Sequence, residues 1–494
     1  MLKDISQQLS IPHDRIVDVL PTSSLQTEFL VNTLRDPKAY TVQIALEMRG
    51  SLDPARLHAA WQAAFDRHSS LCAKYLVSNL IPGHTCLQVV ANQADFVWSY
   101  DTDFEPMDAT ATDEAFDQAW FANDRHQGFA LDGSPLIRLI LKQLAATTHV
   151  LYIAIHHALV DAWSLSLLFA EVMAIYHGQS LPPAIPYSTF IQYVLSQDKQ
   201  SSQAYWQATL DGVKPTSAIQ LPSHTRQPDS ISSTAIFARP ITVELEHLTR
   251  FCRQQNITLN SLLRAVWTLV LARYLGETDE VTFGTLVSGR NLPLPGIDRM
   301  VGLTLNTVPF RSPLALDKPV RDWLNDVHER AGAMMAHEHS SLLDVNRWLA
   351  LPREHQLFQS LLVFATAPDN STANTTDLQC RMRSGYNETE YPLMVTFIEQ
   401  GNTLAADFQY QCAMYDASHI ERMMAFMDHC FTTMVHSTPT TAVQQLIELP
   451  PAERELIHRW SQGPVCTYDH AVQYVDDMFT RHVIGSPNYP ALES

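Results

Sequence analysis

Leu151-Tyr152-Ile153-Ala154-Ile155-His156-His157-Ala158-Leu159-Val160-Asp161-Ala162-Trp163-Ser164 begins as an apolar run with β-branched members. Such a run reads as a buried strand, and the period changes after a short polar break. Beyond the break Leu165, Leu168, Phe169, Val172 and Tyr176 recur at helical spacing. A helix is therefore predicted, its first turn capped by Asp161 or Ser164 accepting a bond from an orphan backbone N–H. Consecutive strand side chains point to opposite faces. His156 is expected to turn into packing and His157 to face the opposite space, with Asp161 one short turn away. An imidazole placed there with an orienting or structural carboxylate can act as a general base. Two core histidines at a strand end would give the same pattern.

The spacing His156-His157-x-x-x-Asp161-x-x-Ser164 resembles the active-site signature of condensation domains in nonribosomal peptide synthetases. Epimerization domains, cyclization domains and carrier-independent acyltransferases share parts of it. Other segments carry the resemblance in order. Leu20-Pro21-Thr22-Ser23-Ser24-Leu25-Gln26 is similar to the family's opening motif, and Arg67-His68-Ser69-Ser70-Leu71-Cys72 to its second, with Cys72 where an arginine is usual. Tyr187 to Tyr193 resembles another short motif. Val301-Gly302-Leu303-Thr304-Leu305-Asn306-Thr307-Val308-Pro309-Phe310-Arg311 matches its motif closely, and Leu357 to Phe364 and Tyr391-Pro392-Leu393 match more loosely.

The resemblance implies an α+β fold of two chloramphenicol-acetyltransferase-like lobes arranged as a V-shaped pseudo-dimer. The expected divisions are a lead-in over 1–15, an N-terminal lobe over 16–180, an interlobe connection over 181–233, a C-terminal lobe over 234–448, and over 449–494 a linker resembling those that lead to an adenylation domain. The prolines between Gly178 and Pro186 support the first boundary, because they lack a donor and fix φ. Pro215 to Ser233 supports the second.

The implied reaction is attack of a carrier-bound aminoacyl amine on an acyl or peptidyl thioester. His157 would be the base or the group that positions the amine. With an ordinary pKa of ~6.5, an imidazole can be neutral at working pH. His156, Asp161, Ala162, Ser164, Arg67, Arg290 and Arg311 form the expected supporting set. In it one of the three arginines holds Asp161, His156 packs and shapes the loop, and Ser164 is either the helix cap or a site hydroxyl. Ala162 stands where many members carry glycine, and alanine still offers a backbone N–H there if its φ is not positive. Ser288, Gly289, Asn306 and Thr307 are candidates for the substrate tunnel. No cofactor of its own is implied, since substrates ride on phosphopantetheine or CoA. The implied partners are donor and acceptor carrier domains, an adjacent adenylation domain and, if Met1 is the native start, an acyl-CoA or a carrier supplied in trans. An epimerization or cyclising relative and a catalytically weak carrier-docking platform are the alternatives. The form of the motif points to a fungal source.

Composition fits this class. The chain has 494 residues, 46% hydrophobic and 17% charged, ample for more than one core. A net charge of −19 argues against non-specific nucleic-acid binding, which needs a basic face. Seven scattered cysteines with no Cys-x-x-Cys pair fit a reduced, cytosolic setting. The first ten residues lack an apolar signal core, and the most apolar helix, about Leu262 to Leu275, is interrupted by Arg264 and Arg273, so no membrane span is expected. His337-Glu338-His339 lacks a third ligand nearby and reads as a solvated polar segment, so no metal is expected. A Gly-x-Ser-x-Gly elbow is absent.

Overall fold

A computed structural model describes residues 2–81, 83–102, 113–213, 234–276, 279–352, 356–365, 378–386, 389–438, 440–463 and 475–488. The chain divides into two compact units, Met1–Ile447 and Glu448–Ser494. The second contains the helices Pro451–Ser461 and Val475–Gly485. Of the expected connection over 181–233, residues 214–233 lie outside the described residues.

The strands of the first unit are β1 (Ile16–Pro21), β2 (Thr41–Gly50), β3 (Ala73–Ile81), β4 (His84–Ala91), β5 (Val97–Asp101), β6 (Ile137–Ala145), β7 (Thr148–His156), β8 (Thr234–Pro240), β9 (Glu280–Val287), β10 (Asn306–Pro313), β11 (Ser360–Ala365), β12 (Leu378–Tyr386), β13 (Leu393–Gln400) and β14 (Thr403–Gln411). Among the described residues they form three sheets, ordered β1-β4-β3, β12-β2-β7-β6-β5 and β10-β9-β11-β13-β14-β8. The two larger ones are mixed: β5 runs parallel to β6, and β11 runs parallel to both β9 and β13. Two α/β lobes are thus built on mixed sheets carrying helices, in agreement with the expected class.

The second lobe is centred on the helix Leu259–Leu275. Thr258 caps it by accepting from the Ser261 N–H, and Gly276 ends it in the left-handed conformation. The helix is apolar nearly all round because it is covered by the helices Val320–Met335 and Ala417–Val435 as well as by the sheet. Arg264 is buried within it, so that interruption does not mark a solvent face. No helix among the described residues is long and apolar enough to cross a membrane. Cys72, Cys86, Cys252, Cys412 and Cys430 are free thiols.

β6 and β7 form an antiparallel hairpin that leads into the two histidines, paired from Ile137↔Ile155 onward. Two features differ from the sequence reading. The alternation Val42, Ile44, Leu46 and Met48 predicts one buried face, yet Gln43 and Glu47 are buried as well. The helix Asp113–Gln127 lies over that face, and Gln43 is satisfied there by Asp124, the Phe121 carbonyl and Arg125 at 2.7–3.0 Å. Second, β12 belongs by sequence to the second lobe but pairs with β2 from Leu378↔Gly50 to Tyr386↔Gln43, inside the first lobe's sheet. A boundary drawn along the chain misses this exchange. Alternation identifies a strand but not its partner.

Candidate active site

β7 is hydrogen-bonded on both edges, to β2 and to β6, and carries the two histidines at its end. The His156 N–H bonds the Leu136 carbonyl and the His157 N–H the Tyr40 carbonyl, at 3.0 and 2.8 Å. His156 is fully buried. Thr33 Oγ1 donates its single proton to the Phe29 carbonyl (2.7 Å), so it accepts from His156 Nε2 at 2.8 Å. His156 Nδ1 accepts from the Ala158 N–H at 3.1 Å. Both ring nitrogens are therefore used by one neutral tautomer.

Burial, with a smaller contribution from His157, pushes the His156 pKa down to about 3. The unfolded value is ~6.5, so the stabilisation from a neutral His156 is complete above pH ~6.5 and is lost progressively as pH falls toward 3. Thermal unfolding midpoints measured across this window should fall steadily. A flat midpoint down to pH 4 would contradict the burial of a neutral ring.

His157 is held differently. Its Nδ1 lies 2.8 Å from the Val160 carbonyl, which can only accept, so Nδ1 carries the proton. Nε2 then presents a lone pair, and it has no partner among the described residues. Burial holds the pKa below the ordinary imidazole value, against the opposing pull of backbone hydrogen bonds and the Asp161 charge. A neutral imidazole with a free acceptor nitrogen can take a proton from a nearby amine.

The loop that carries it is fixed by a residue that the opening motif contains but to which the sequence reading gives no role. Ser23 and Gln26 form a reciprocal capping box at the start of the helix Ser24–Arg35. The Gln26 amide then reaches the Ala158 carbonyl at 2.9 Å and Tyr75 Oη at 3.0 Å, and Tyr75 Oη bonds the same carbonyl at 2.8 Å. The Leu25-Gln26 pair is visible in the sequence, but its target 132 residues away is not.

Asp161 caps the helix Ala162–Tyr176 by accepting from the Ser164 N–H at 2.7 Å. Its carboxylate also takes Arg290 Nη2 at 2.9 and 3.0 Å and Thr304 through N–H and Oγ1 at 3.3 and 3.2 Å. Arg290 is thus the arginine that reaches it. Arg311 instead binds Glu280 (2.8 Å) and the Thr209 and Asp211 carbonyls, and Arg67 binds Glu171 (3.1 Å) and the Pro182 carbonyl. Each of these two is held where the fold leaves a nearer carboxylate.

Ser164 is not the cap. With Asp161 in that role its hydroxyl is free to accept from the Gly302 N–H and Arg290 and to donate to the Gly302 carbonyl, at 2.9–3.0 Å. Gly302 has to be glycine for this approach, since a Cβ would lie 2.3 Å from the Tyr187 ring. Asp161 and Ser164 together clasp residues 290–304 of the second lobe to the helix that follows the histidines. Ala162 opens that helix at negative φ, so its backbone N–H is retained. Cys72 is buried, and burial pushes its thiol up to about 12.

Of the tunnel candidates, Gly289 and Asn306 line a narrow cavity together with Leu25 and Thr304. Ser288 is exposed and Thr307 is buried within β10; neither lines it. A wider cavity of about 370 Å³ shares Ser24, Val194 and His339 with the narrow one. A separate cavity of about 330 Å³ is lined by Tyr40, Asn32 and Glu390, and another of about 330 Å³ shares Asn32 and Glu390 and adds Glu28 and Tyr391. Burial, and then the neighbouring Glu390 charge, raise Glu28 to about 7. The helix Ser24–Arg35 lends residues to both sets of cavities, and its Phe29 lies 5.2 Å from the His157 ring. His337-Glu338-His339 is not the solvated segment expected. The Asn306 amide bonds the Glu338 and Ser340 carbonyls at 2.7 and 2.8 Å, drawing the loop inward, and Glu338 is 3% exposed. No group of three metal-ligating side chains is found among the described residues.

A family model described as "Condensation domain" matches residues 16–458. The chain is 31% identical over 470 residues to malformin synthetase mlfA of Aspergillus brasiliensis, covering 93% of this chain and 8% of that protein. It is 27% identical over 457 residues to a linear gramicidin synthase of Brevibacillus parabrevis, covering 90% of this chain and 9% of that protein. The chain thus spans under a tenth of the length of these relatives. In three dimensions it is similar to a four-domain nonribosomal peptide synthetase bound to AMP and glycine, with TM-score 0.78, 18% identity, and coverage of 97% of this chain and 37% of that one.

Proposed function

The chain belongs to the condensation-domain family, and from that premise we propose that it forms an amide bond between a carrier-bound aminoacyl group and an acyl or peptidyl thioester, with His157 as the proton acceptor. The amine nitrogen attacks the thioester carbonyl and a C–N bond forms. The amine proton passes to His157 Nε2, the C–S bond breaks, and the departing thiolate takes a proton in turn. The observation that carries this reading is the Nδ1–H bond from His157 to the Val160 carbonyl, which leaves Nε2 as a neutral acceptor. Asp161 and Arg290 act as a structural pair that fixes the loop.

The substrates ride on phosphopantetheine, the partners are donor and acceptor carrier domains with an adenylation domain following, and the donor is a carrier-bound acyl group or an acyl-CoA. A reduced cytoplasmic setting in a fungal multidomain synthetase fits the cysteine usage and the malformin synthetase relative. The test is the intact mass of an aminoacyl-loaded carrier after incubation with a panel of acyl-CoA and acyl-carrier donors. A gain equal to one acyl group identifies both the reaction and the donor class. No gain with any donor, from folded protein that still binds the carrier, overturns the proposal in favour of a docking platform.

A further inference from the structure

Glu338 is the buried acid that the proposed mechanism does not use. It lines the narrow cavity beside Leu25, Val194, Val287 and Leu305, walls that are otherwise mostly apolar. Its side chain is almost fully enclosed, and Oε2 has no hydrogen-bond partner among the described residues. The Asn306 amide bonds the Glu338 and Ser340 carbonyls, which holds the backbone of this segment against the second lobe's sheet. Arg264 is buried nearby, but no ion pair joins the two. Its guanidinium lies over the Phe310 ring and 3.4 Å from Thr285 Oγ1, and its Nε is unpartnered among the described residues.

A buried acceptor left without a donor is costly, and in folded proteins such groups are rare enough to require a reason. The space at Glu338 is about 20 Å³ and adjoins the cavity of about 370 Å³. It accommodates one water-sized group and no more.

We propose that Glu338 is a specificity-determining residue: its carboxyl group hydrogen-bonds an N–H or O–H carried by the acyl or aminoacyl group, so that groups bearing such a donor are taken in preference to aliphatic ones of the same size. A pocket built to bond a donor discriminates against the isostere that lacks it, because the buried acceptor is then left unpaired. Burial raises Glu338 to about 7, against the pull of Arg264, so near neutrality the carboxyl is available both as acceptor and as donor.

The identity of the ligand rests on the condensation reading, so binding is measured apart from turnover. Non-reactive amide analogues of acylated pantetheine are titrated calorimetrically into wild type, Glu338→Gln and Glu338→Leu, in matched pairs: valyl with threonyl, and methionyl with glutaminyl. In wild type at least one polar member is expected to bind about 10- to 100-fold more tightly than its apolar partner. Glu338→Leu should erase that preference, and Glu338→Gln, which keeps the shape and an acceptor, should retain most of it. Three results overturn the inference: equal affinities within both pairs in wild type, an unchanged ratio in Glu338→Leu, or equal weakening of both members of a pair, which would place the contact on the common arm. Thermal unfolding checks that each variant folds, and if Glu338→Leu does not, the wild-type ratios and Glu338→Gln decide. Selectivity in binding without any acyl transfer would keep this inference and remove the condensation reading.

Discussion

His157→Ala is expected to lower the rate of amide formation by about 10²- to 10⁴-fold, the range general-base groups typically supply. Because the residue makes one side-chain hydrogen bond, to the Val160 carbonyl, the fold should survive with a loss of about 1 kcal/mol. The pH dependence follows from the direction of the shift. Burial lowers the His157 pKa, so the neutral acceptor form dominates down to below pH ~6.5. The wild-type rate should therefore lose its base only on the acid side of that value. A rise between pH 7 and 9 belongs to deprotonation of the amine, whose ordinary pKa is ~7.7–8.0, and should persist in the variant's residual rate. Single-turnover rates of wild type and variant across this range test both points. A variant within threefold of wild type would remove His157 from the chemistry.

Breaking the clasp should produce the largest loss of stability. Asp161 and Arg290 are both buried, with side chains 1% and 7% exposed. Removing one member leaves the other as an uncompensated buried charge, which costs about 3–5 kcal/mol. In Asp161→Ala the Ser164 and Thr304 N–H groups lose their acceptor too. Asp161→Ala and Arg290→Met are each expected to shift the urea midpoint strongly, and the double variant to fall well short of their sum, since it removes both charges together. Activity should fall with stability, because the Val160 carbonyl that orients His157 is next to Asp161 in the chain. A shift below about 1 kcal/mol in both single variants, the range of an exposed pair, would show that the pair does not hold the lobes together.

The histidine loop is legible because its signal is local. An apolar run fixes the strand, the period change fixes the turn, and alternation separates His156 from His157. What the chain does not disclose depends on contacts far apart in sequence. Arg67, Arg290 and Arg311 look alike along the chain, and only the fold brings Arg290 to Asp161, 129 residues away. The role of Ser164 is ambiguous in sequence because two residues compete for one cap. Once Asp161 takes the Ser164 N–H, the serine hydroxyl is released to bind Gly302. Thr33, Gln26 and Tyr75 carry no chemistry of their own, so nothing in their local pattern marks them as supports of the histidines. Glu338 illustrates the reverse case: flanking histidines imply a wet segment, but a single asparagine at 306 pulls it into the interior.

The protonation of the His157 ring is the most direct measure of whether this chain supplies a base. With ¹⁵N-labelled histidine, the signals lost in His157→Gln identify the residue, and their shifts report which nitrogen bears the proton. Protonated Nδ1 and unprotonated Nε2 throughout about pH 6.5–8, with the ring charging only below that range, is the predicted result. A ring protonated on Nε2, or one carrying both protons at neutral pH, would have no lone pair at Nε2 to offer an attacking amine and would contradict it.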